Sequence, residues 1–327
     1  MSERRNTMRY ALGADISWYP QMLASGFVFR NQEGREQDLL QTLKDFGINS
    51  IRLRTWVEPS EDPHAGHCSR EETLALARLC REAGFRIMID FHYGDTWCDG
   101  GHQPMPRAWK GLDREALERA LSQYTRDVLT LLRDGGVTPE WVQLGNETDL
   151  GLVLPMGSTE DFGYLSRLYS AGHDAVKAVF PACKTMIQLS EITRTDFNLN
   201  YFAQLEKHGC RYDMMGFSYY PYHLRNNYGT TYAQAKEAFE RSMRAIPGRF
   251  GKEFMIVETG GPDDDEEGSC RLMADVIAAI RTAPLCTGLM WWEPEGARVC
   301  SDYPLSAWRA DGTPTRAMDM FRTLEQA

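Results

Sequence analysis

Short runs of apolar and β-branched residues alternate along this chain with segments whose apolar positions recur every three or four residues, from one end to the other. The first kind predicts strands: RYALGADIS from Arg9, SIRLRTW from Ser50, RIMIDFH from Arg86, WVQLGNE from Trp141, KTMIQLS from Lys184, DMMGFSYYP from Asp213, FMIVETG from Phe254 and GLMWWEP from Gly288. The second kind predicts helices: REQDLLQTLKDFG, SREETLALARLCREAG, DREALERALSQYTRDVLTLLRDGG, TEDFGYLSRLYSAGHDAVKAVF, FNLNYFAQLEKHG, TYAQAKEAFERSMRAI, SCRLMADVIAAIRTA and TPTRAMDMFRTLEQ. Several of them close on glycine after a basic or polar last turn, as helix C-termini do. Eight strand-helix pairs without a compositional break predict an α/β fold, a single (β/α)8 TIM barrel over residues 1–327. A doubly wound open sheet is the alternative.

Composition narrows the function classes. The 327 residues are 43% hydrophobic, enough for a large core. With 36 Lys and Arg against 46 Asp and Glu the net charge is -10, which repels nucleic acid and anionic membranes as partners. No apolar run reaches the roughly 18 residues that span a bilayer. The start, MSERRNTMRYALGAD, lacks the apolar stretch of a secretory signal. The expectation is a cytoplasmic protein as written, or a secreted one if this is a processed form, with a monomer favoured. The eight cysteines, at 68, 80, 98, 183, 210, 270, 286 and 300, are scattered without C-x-x-C spacing and read as reduced and structural.

In a barrel of this kind, chemistry sits at the C-terminal ends of the strands. Those ends carry Asp15 and Trp18, then Arg52 and Arg54, then His92 with Asp95 and Trp97, then Asn146 and Glu147, then Tyr219 and Tyr220, then Glu258, then Trp292 and Glu293. Glu147 and Glu258 each end an apolar run, where a lone carboxylate is costly unless paired or functional. Facing one another at roughly 5 to 5.5 Å they would form the carboxyl pair of a retaining glycosidase; otherwise each caps a helix or meets an arginine. Arg52 and Arg54 alternate with Ile51 and Leu53, so pleating puts both on the barrel's inner face. There they serve a carboxylate or an interior salt bridge. Trp18, Trp97, Trp291 and Trp292 suit stacking on sugar rings; each alone reads first as packing, but four together near strand ends do not.

Other chemistry finds less support. HAGHC, from His64 to Cys68, has no second ligand cluster to complete a zinc site. DDDEE, from Asp263 to Glu267, reads as an acidic helix start rather than a calcium loop. GGP after Glu258 lacks the lysine and spacing of a phosphate loop. No cofactor or metal is expected.

The segments GADISWYPQM, DLLQTLKDFGINSIRLRTWVEPS, IDFHYGDTWCDGGHQ, TPEWVQLGNET, GFSYYPY, IVETG and WWEP together resemble, in this order, the glycoside hydrolase family 53 endo-β-1,4-galactanases. The resemblance implies a (β/α)8 barrel that cleaves β-1,4-galactan or derived galacto-oligosaccharides with retention. It implies Glu147 as acid/base, Glu258 as nucleophile, Asn146 on the sugar 2-hydroxyl, and Arg52 and Tyr220 bonded to the nucleophile. Asp15, Trp18, Arg54, His92, Asp95, Trp97, Asp99, Tyr219, Trp292 and Glu293 would bind substrate. This chain departs from the family pattern at Leu154 in GLVLP, at His223 after YYPY, at QLSEITRTD from Gln188, and at GGPDDDEEGS from Gly260. Such departures alter the walls of the cleft. An exo-acting β-glycosidase and a catalytically altered carbohydrate-binding barrel are the alternatives.

Overall fold

The computed structural model describes residues 10–60 and 68–325. Ten strands occur among them: β1 (Ala11–Asp15), β2 (Ser50–Thr55), β3 (Arg86–Phe91), β4 (Trp141–Leu144), β5 (Gly151–Leu152), β6 (Gly157–Ser158), β7 (Lys184–Leu189), β8 (Met214–Tyr219), β9 (Phe254–Thr259) and β10 (Cys286–Trp292). Eight of them close a parallel barrel in the order β1-β10-β9-β8-β7-β4-β3-β2, and β5 and β6 form a small antiparallel hairpin above it. The barrel strands are the eight that the pattern predicted, so the open sheet is excluded.

The helices are α1 (Tyr19–Ala24), α2 (Leu39–Asp45), α3 (Arg70–Glu82), α4 (Arg114–Asp134), α5 (Phe162–Val179), α6 (Thr195–Lys207), α7 (Pro221–Tyr228), α8 (Tyr232–Phe250), α9 (Glu266–Thr282), α10 (Arg298–Ser301) and α11 (Met320–Glu325). Local chemistry starts them. Ser69 and Glu72 form a reciprocal capping box on α3, Thr231 and Gln234 do so on α8, and Asp113 caps α4. The short helices α1, α7 and α10 and the β5–β6 hairpin were not predicted. α1 and α7 each carry proline in the first turn, where a missing N–H costs nothing.

Strand alternation sorts the core into two parts. Outward residues such as Ile51, Leu53, Ile87, Ile89, Ile187 and Phe217 pack against the helices. Inward residues Ala11, Met88, Trp141, Met186, Met214, Met255, Val257 and Met290 plug the lower barrel. Gly13 makes room for this plug, because a Cβ there would lie 2.7 Å from Met290. Above the plug the inward positions turn polar, with Asp15, Arg52, Asp90, Gln143, Gln188 and Ser218 all buried. That polar storey is the floor of the site.

Among the described residues no helix is long and apolar enough to cross a membrane, and no disulfide is formed. His64 to His67 of HAGHC lie outside the described residues. In the acidic run, Asp265 caps α9 by accepting from the Gly268 N–H, Asp263 pairs with Arg298, and Glu266 pairs with Arg309 and Arg316. Protein groups therefore occupy these carboxylates.

Candidate active site

A cavity of about 980 Å³ opens at the C-terminal end of the barrel, lined by Glu147 and Glu258 with Asn146, Tyr220, His92, Trp97, Asp99 and Trp292. Glu147 stands at the end of β4 on a backbone that turns sharply. Gly145 has φ of 89° and Glu147 itself 46°, a left-handed conformation uncommon for a residue with a Cβ. The Gln103 amide holds this turn by donating to the carbonyls of Asn146 (2.7 Å) and Glu147 (3.0 Å). Strain fixed in this manner at a cleft is a mark of a functional position.

Glu258 reaches the cleft by a different device. The register between β8 and β9 shifts after Phe217, so that Ile256 pairs with Phe217 but Glu258 with Ser218. Val257 is the extra residue. Without it, plain alternation from inward-facing Met255 and Val257 would turn Glu258 toward the helices; the bulge brings it level with Ser218, whose hydroxyl points inward.

One amide ties the two glutamates together. Gln188, on β7, donates from Nε2 to Glu258 Oε1 (3.0 Å) and to Ser218 Oγ (3.0 Å), and Ser218 in turn donates to Glu147 Oε1 (2.6 Å). Its own Oε1 accepts from the Glu147 N–H (3.0 Å) and from Gln143 (2.6 Å). Being an amide, Gln188 holds both carboxyls without adding charge. Neither Gln188 nor Ser218 was singled out from the sequence. The signal was there, since both share the inward parity of their strands.

The electrostatic surroundings of the two carboxyls differ. Burial, then the negative charge of Glu258, pushes Glu147 up to about 8, against the opposing hydrogen bonds from Ser218 and the Gly100 N–H. Glu258 faces a cation instead: Arg52 Nη2 lies 2.8 Å from its Oε1, and the Tyr220 hydroxyl donates to Oε2 at 3.3 Å. Arg52 is completely buried and also meets Asp15 (3.0 Å), Asp90 (2.8 Å) and Asn146 (2.7 Å). Burial alone would lower its pKa, but Asp90, Glu258 and Asp15 outweigh it and raise it further.

The remaining expected site residues divide by depth. His92 receives the Cys98 N–H at Nδ1 (3.0 Å) and sets Nε2 3.1 Å from Asp90, so both ring nitrogens are engaged and one ring edge remains for the cleft. Trp97 and Trp292 form the wall, with Trp18 packed edge-on behind both at 5.7 and 5.3 Å. Four residues expected at the substrate are buried away from it, Asp15, Arg54 and Glu293 beneath the cleft and Tyr219 outside the barrel wall, all at most 1% exposed. Arg54 pairs with Glu293 and lies 4.3 Å from the Trp97 ring, so it carries the wall from behind. Tyr219 points outward by strand alternation and stacks on Phe239 at 4.2 Å. Asp95 braces its loop by accepting from the N–H groups of Glu58 (3.0 Å) and Arg107 (2.8 Å). Trp18 lines a separate cavity beside α1 and α10. Trp291 is buried and donates to the Leu305 carbonyl (2.9 Å), as packing. Tyr303, 4.7 Å from Trp292, completes the wall and was not foreseen.

The sequence pattern of glycosyl hydrolase family 53 matches residues 11–270. The chain belongs to glycosyl hydrolase family 53. A protein of Niallia circulans described as an uncharacterized protein in the bgaB 5' region is 31% identical over 87% of this chain and 83% of its own length. The arabinogalactan endo-β-1,4-galactanase of Thermothelomyces thermophilus is 29% identical, with 83% of this chain and 85% of that protein covered. In structure, the family 53 catalytic domain of Ignisphaera aggregans superposes with a TM-score of 0.88 and 26% identity over 98% of both chains. The stretch matched to family 53 contains both glutamates, Gln188, Arg52, Asn146 and Tyr220, while Trp292 and Tyr303 follow it.

Proposed function

We propose that this family 53 protein is a retaining glycosidase that cleaves β-1,4-galactosidic bonds in galactan or galacto-oligosaccharides. The observation that carries the reading is the asymmetry of the linked pair: Glu147 is shifted toward its protonated form, and Glu258 faces Arg52 and Tyr220. The galactanase name of the Thermothelomyces relative supports the choice of sugar.

In the first step the Glu258 carboxylate attacks the anomeric carbon, and the bond to the leaving oxygen breaks as that oxygen takes the proton of Glu147. The product is a glycosyl ester on Glu258 and a free sugar end. In the second step the Glu147 carboxylate takes a proton from water, the water oxygen attacks the anomeric carbon, and the ester bond to Glu258 breaks. Both configuration changes occur at one carbon, so the released sugar is β. Trp97, Trp292 and Tyr303 offer apolar faces to the ring.

The test is to incubate the protein with β-1,4-galactan, galactotetraose, mannan and cello-oligosaccharides and to follow the first-formed anomer by proton NMR. Galactan cleavage with β-anomer appearing first is expected. An α-anomer, or cleavage of mannan or cello-oligosaccharides with galactan untouched, overturns the reading.

A further inference from the structure

Gln188 is buried on β7, in a stretch where the sequence departs from the family pattern, and its amide has no freedom to turn over. The Glu147 N–H can only donate, so the amide atom facing it is the oxygen, and Nε2 must face Glu258 Oε1 and Ser218 Oγ. Gln143 donates to the same oxygen and is itself oriented by Asp90, whose Oδ1 accepts from Gln143 Nε2 at 2.7 Å. The Gln188 carbonyl takes the Thr148 N–H and hydroxyl, both at 2.9 Å, which anchors the turn that carries Glu147. A fixed amide here treats the two oxygens of each glutamate unequally. On Glu258, Oε1 is held by Gln188 at 3.0 Å and Arg52 at 2.8 Å, while Oε2 has, among the described residues, the Tyr220 hydroxyl at 3.3 Å. On Glu147, Oε1 accepts the Ser218 hydroxyl at 2.6 Å, while Oε2 has the Gly100 N–H at 3.4 Å. A protonated carboxyl accepts well at its carbonyl oxygen and poorly at its hydroxyl oxygen. The short contact therefore marks Oε1 as the carbonyl and Oε2 as the oxygen that carries the proton.

We propose that Gln188 is a positioning residue that selects the reacting oxygen of each glutamate: directly on Glu258, and through Ser218 on Glu147, it holds Oε1 back and leaves Oε2 to react. The inference rests on the glycosidase reading above. In the first step Glu258 Oε2 bonds to the anomeric carbon, and Glu147 Oε2 gives its proton to the leaving oxygen as the old bond breaks. In the second step Glu147 Oε2 takes a proton from water, the water oxygen bonds to the anomeric carbon, and the bond to Glu258 Oε2 breaks. Throughout, Glu258 Oε1 accepts from Gln188 and Arg52. An amide suits both steps, because its two N–H groups remain donors whatever the charge on either carboxyl. The ionisable groups facing the pair include Arg52 from β2, Asp99 after β3, Arg194 ahead of α6, Tyr220 after β8 and Tyr303 after α10. Among these, none hydrogen-bonds to both glutamates, so the link between them runs through Gln188 and Ser218.

Gln188→Met and Ser218→Ala should be compared with the wild type, singly and together, on galactotetraose and on dinitrophenyl β-galactobioside, whose leaving group departs without acid help. Ser218→Ala should lose about tenfold in kcat on galactotetraose and keep the first step on the aryl substrate within about twofold, because Glu147 is disturbed and Glu258 is not. Gln188→Met should lose about 10²-fold on both, because Glu258 is displaced as well. The Ser218 hydrogen bond favours the charged form of Glu147, so the high-pH limb of kcat/KM on galactotetraose should move up in Ser218→Ala and in Gln188→Met, and no further in the double variant. A measurement on the wild type needs no variant to fold. Trapped with a 2-deoxy-2-fluoro galactoside, its crystal structure should show the sugar on the Glu258 oxygen that faces Tyr220, with the other oxygen still bonded to Gln188. A sugar on the oxygen facing Gln188 overturns the proposal, as do unchanged aryl kinetics in Gln188→Met or pH shifts that add in the double variant. A wild type that turns over neither galactoside refutes the galactan reading and this inference with it, a result distinguishable from those above.

Discussion

A carboxylic acid donates a proton near neutral pH only where its surroundings disfavour its charge, and Glu147 has such surroundings. Burial and the neighbouring Glu258 push it up to about 8, so the acid is present below that pH and lost above it. General acid help matters most for a poor leaving group. Glu147→Ala should therefore lose roughly 10²- to 10⁴-fold in kcat on galactan. On the dinitrophenyl galactobioside the first step should run at nearly its normal rate while the second slows, giving a burst of dinitrophenol and a lower KM. Equal losses on both substrates without a burst would show that Glu147 only positions substrate. At this scale the sequence disclosed the carboxyls through their cost, because a glutamate ending FMIVE or WVQLGNE demands a reason. It did not disclose Asp15, Arg54 and Glu293 as a supporting layer, since depth beneath a cleft depends on which neighbouring loops close over it. Tyr219 was misplaced for a plainer reason: adjacent residues on a strand cannot both face inward, and Ser218 and Tyr220 do.

At the scale of elements, the ends of strands decide the geometry. The β4 terminus turns through Gly145, where a Cβ would lie 2.4 Å from Leu152 and 2.5 Å from Thr148 and φ is 89°. Gly145→Ala should destabilise the protein by about 1–3 kcal/mol through backbone strain and crowding, measured by urea unfolding. It should also reduce kcat, because Asn146 and Glu147 hang on that turn. Destabilisation below about 0.5 kcal/mol would mean that the hairpin above β4 yields to the new methyl group. All eight barrel strands and the long helices were legible because burial of one face imposes a period on the sequence. The bulge at Val257 was not, since one extra residue in FMIVETG leaves the apolar run unchanged while moving Glu258 from one face to the other. Nor was α7, because eight residues opening on proline resemble a loop. The bulge and α7 were therefore missed because they depart from periodicity, whereas Gln188 and Ser218 keep it and were passed over as ordinary polar strand positions.

At the scale of the whole molecule, the barrel buries a small cluster of ionisable side chains at its centre. Asp15, Asp90, Glu258, Glu293 and Glu295 are buried around two buried cations, Arg52 and Arg54, with Glu147 at the edge. Such a centre ties stability to pH, and the sign for Glu147 is definite. Its folded pKa of about 8 lies above its ordinary value of 4.5. The folded protein thus keeps a proton that the unfolded chain releases. The associated stability is fully present below the ordinary value and is lost as pH rises toward and through about 8. Glu147→Gln removes the titration while keeping the shape. The variant should match the wild type near pH 4 apart from the constant effect of the amide, and should gain on it steadily up to about pH 8, by an amount on the order of a few kcal/mol. Thermal unfolding at a series of pH values measures this. A difference in Tm between the two proteins that stays constant from pH 4 to pH 9 would show that Glu147 ionises in the native cleft as readily as in water. The site would then have to draw its acid from elsewhere.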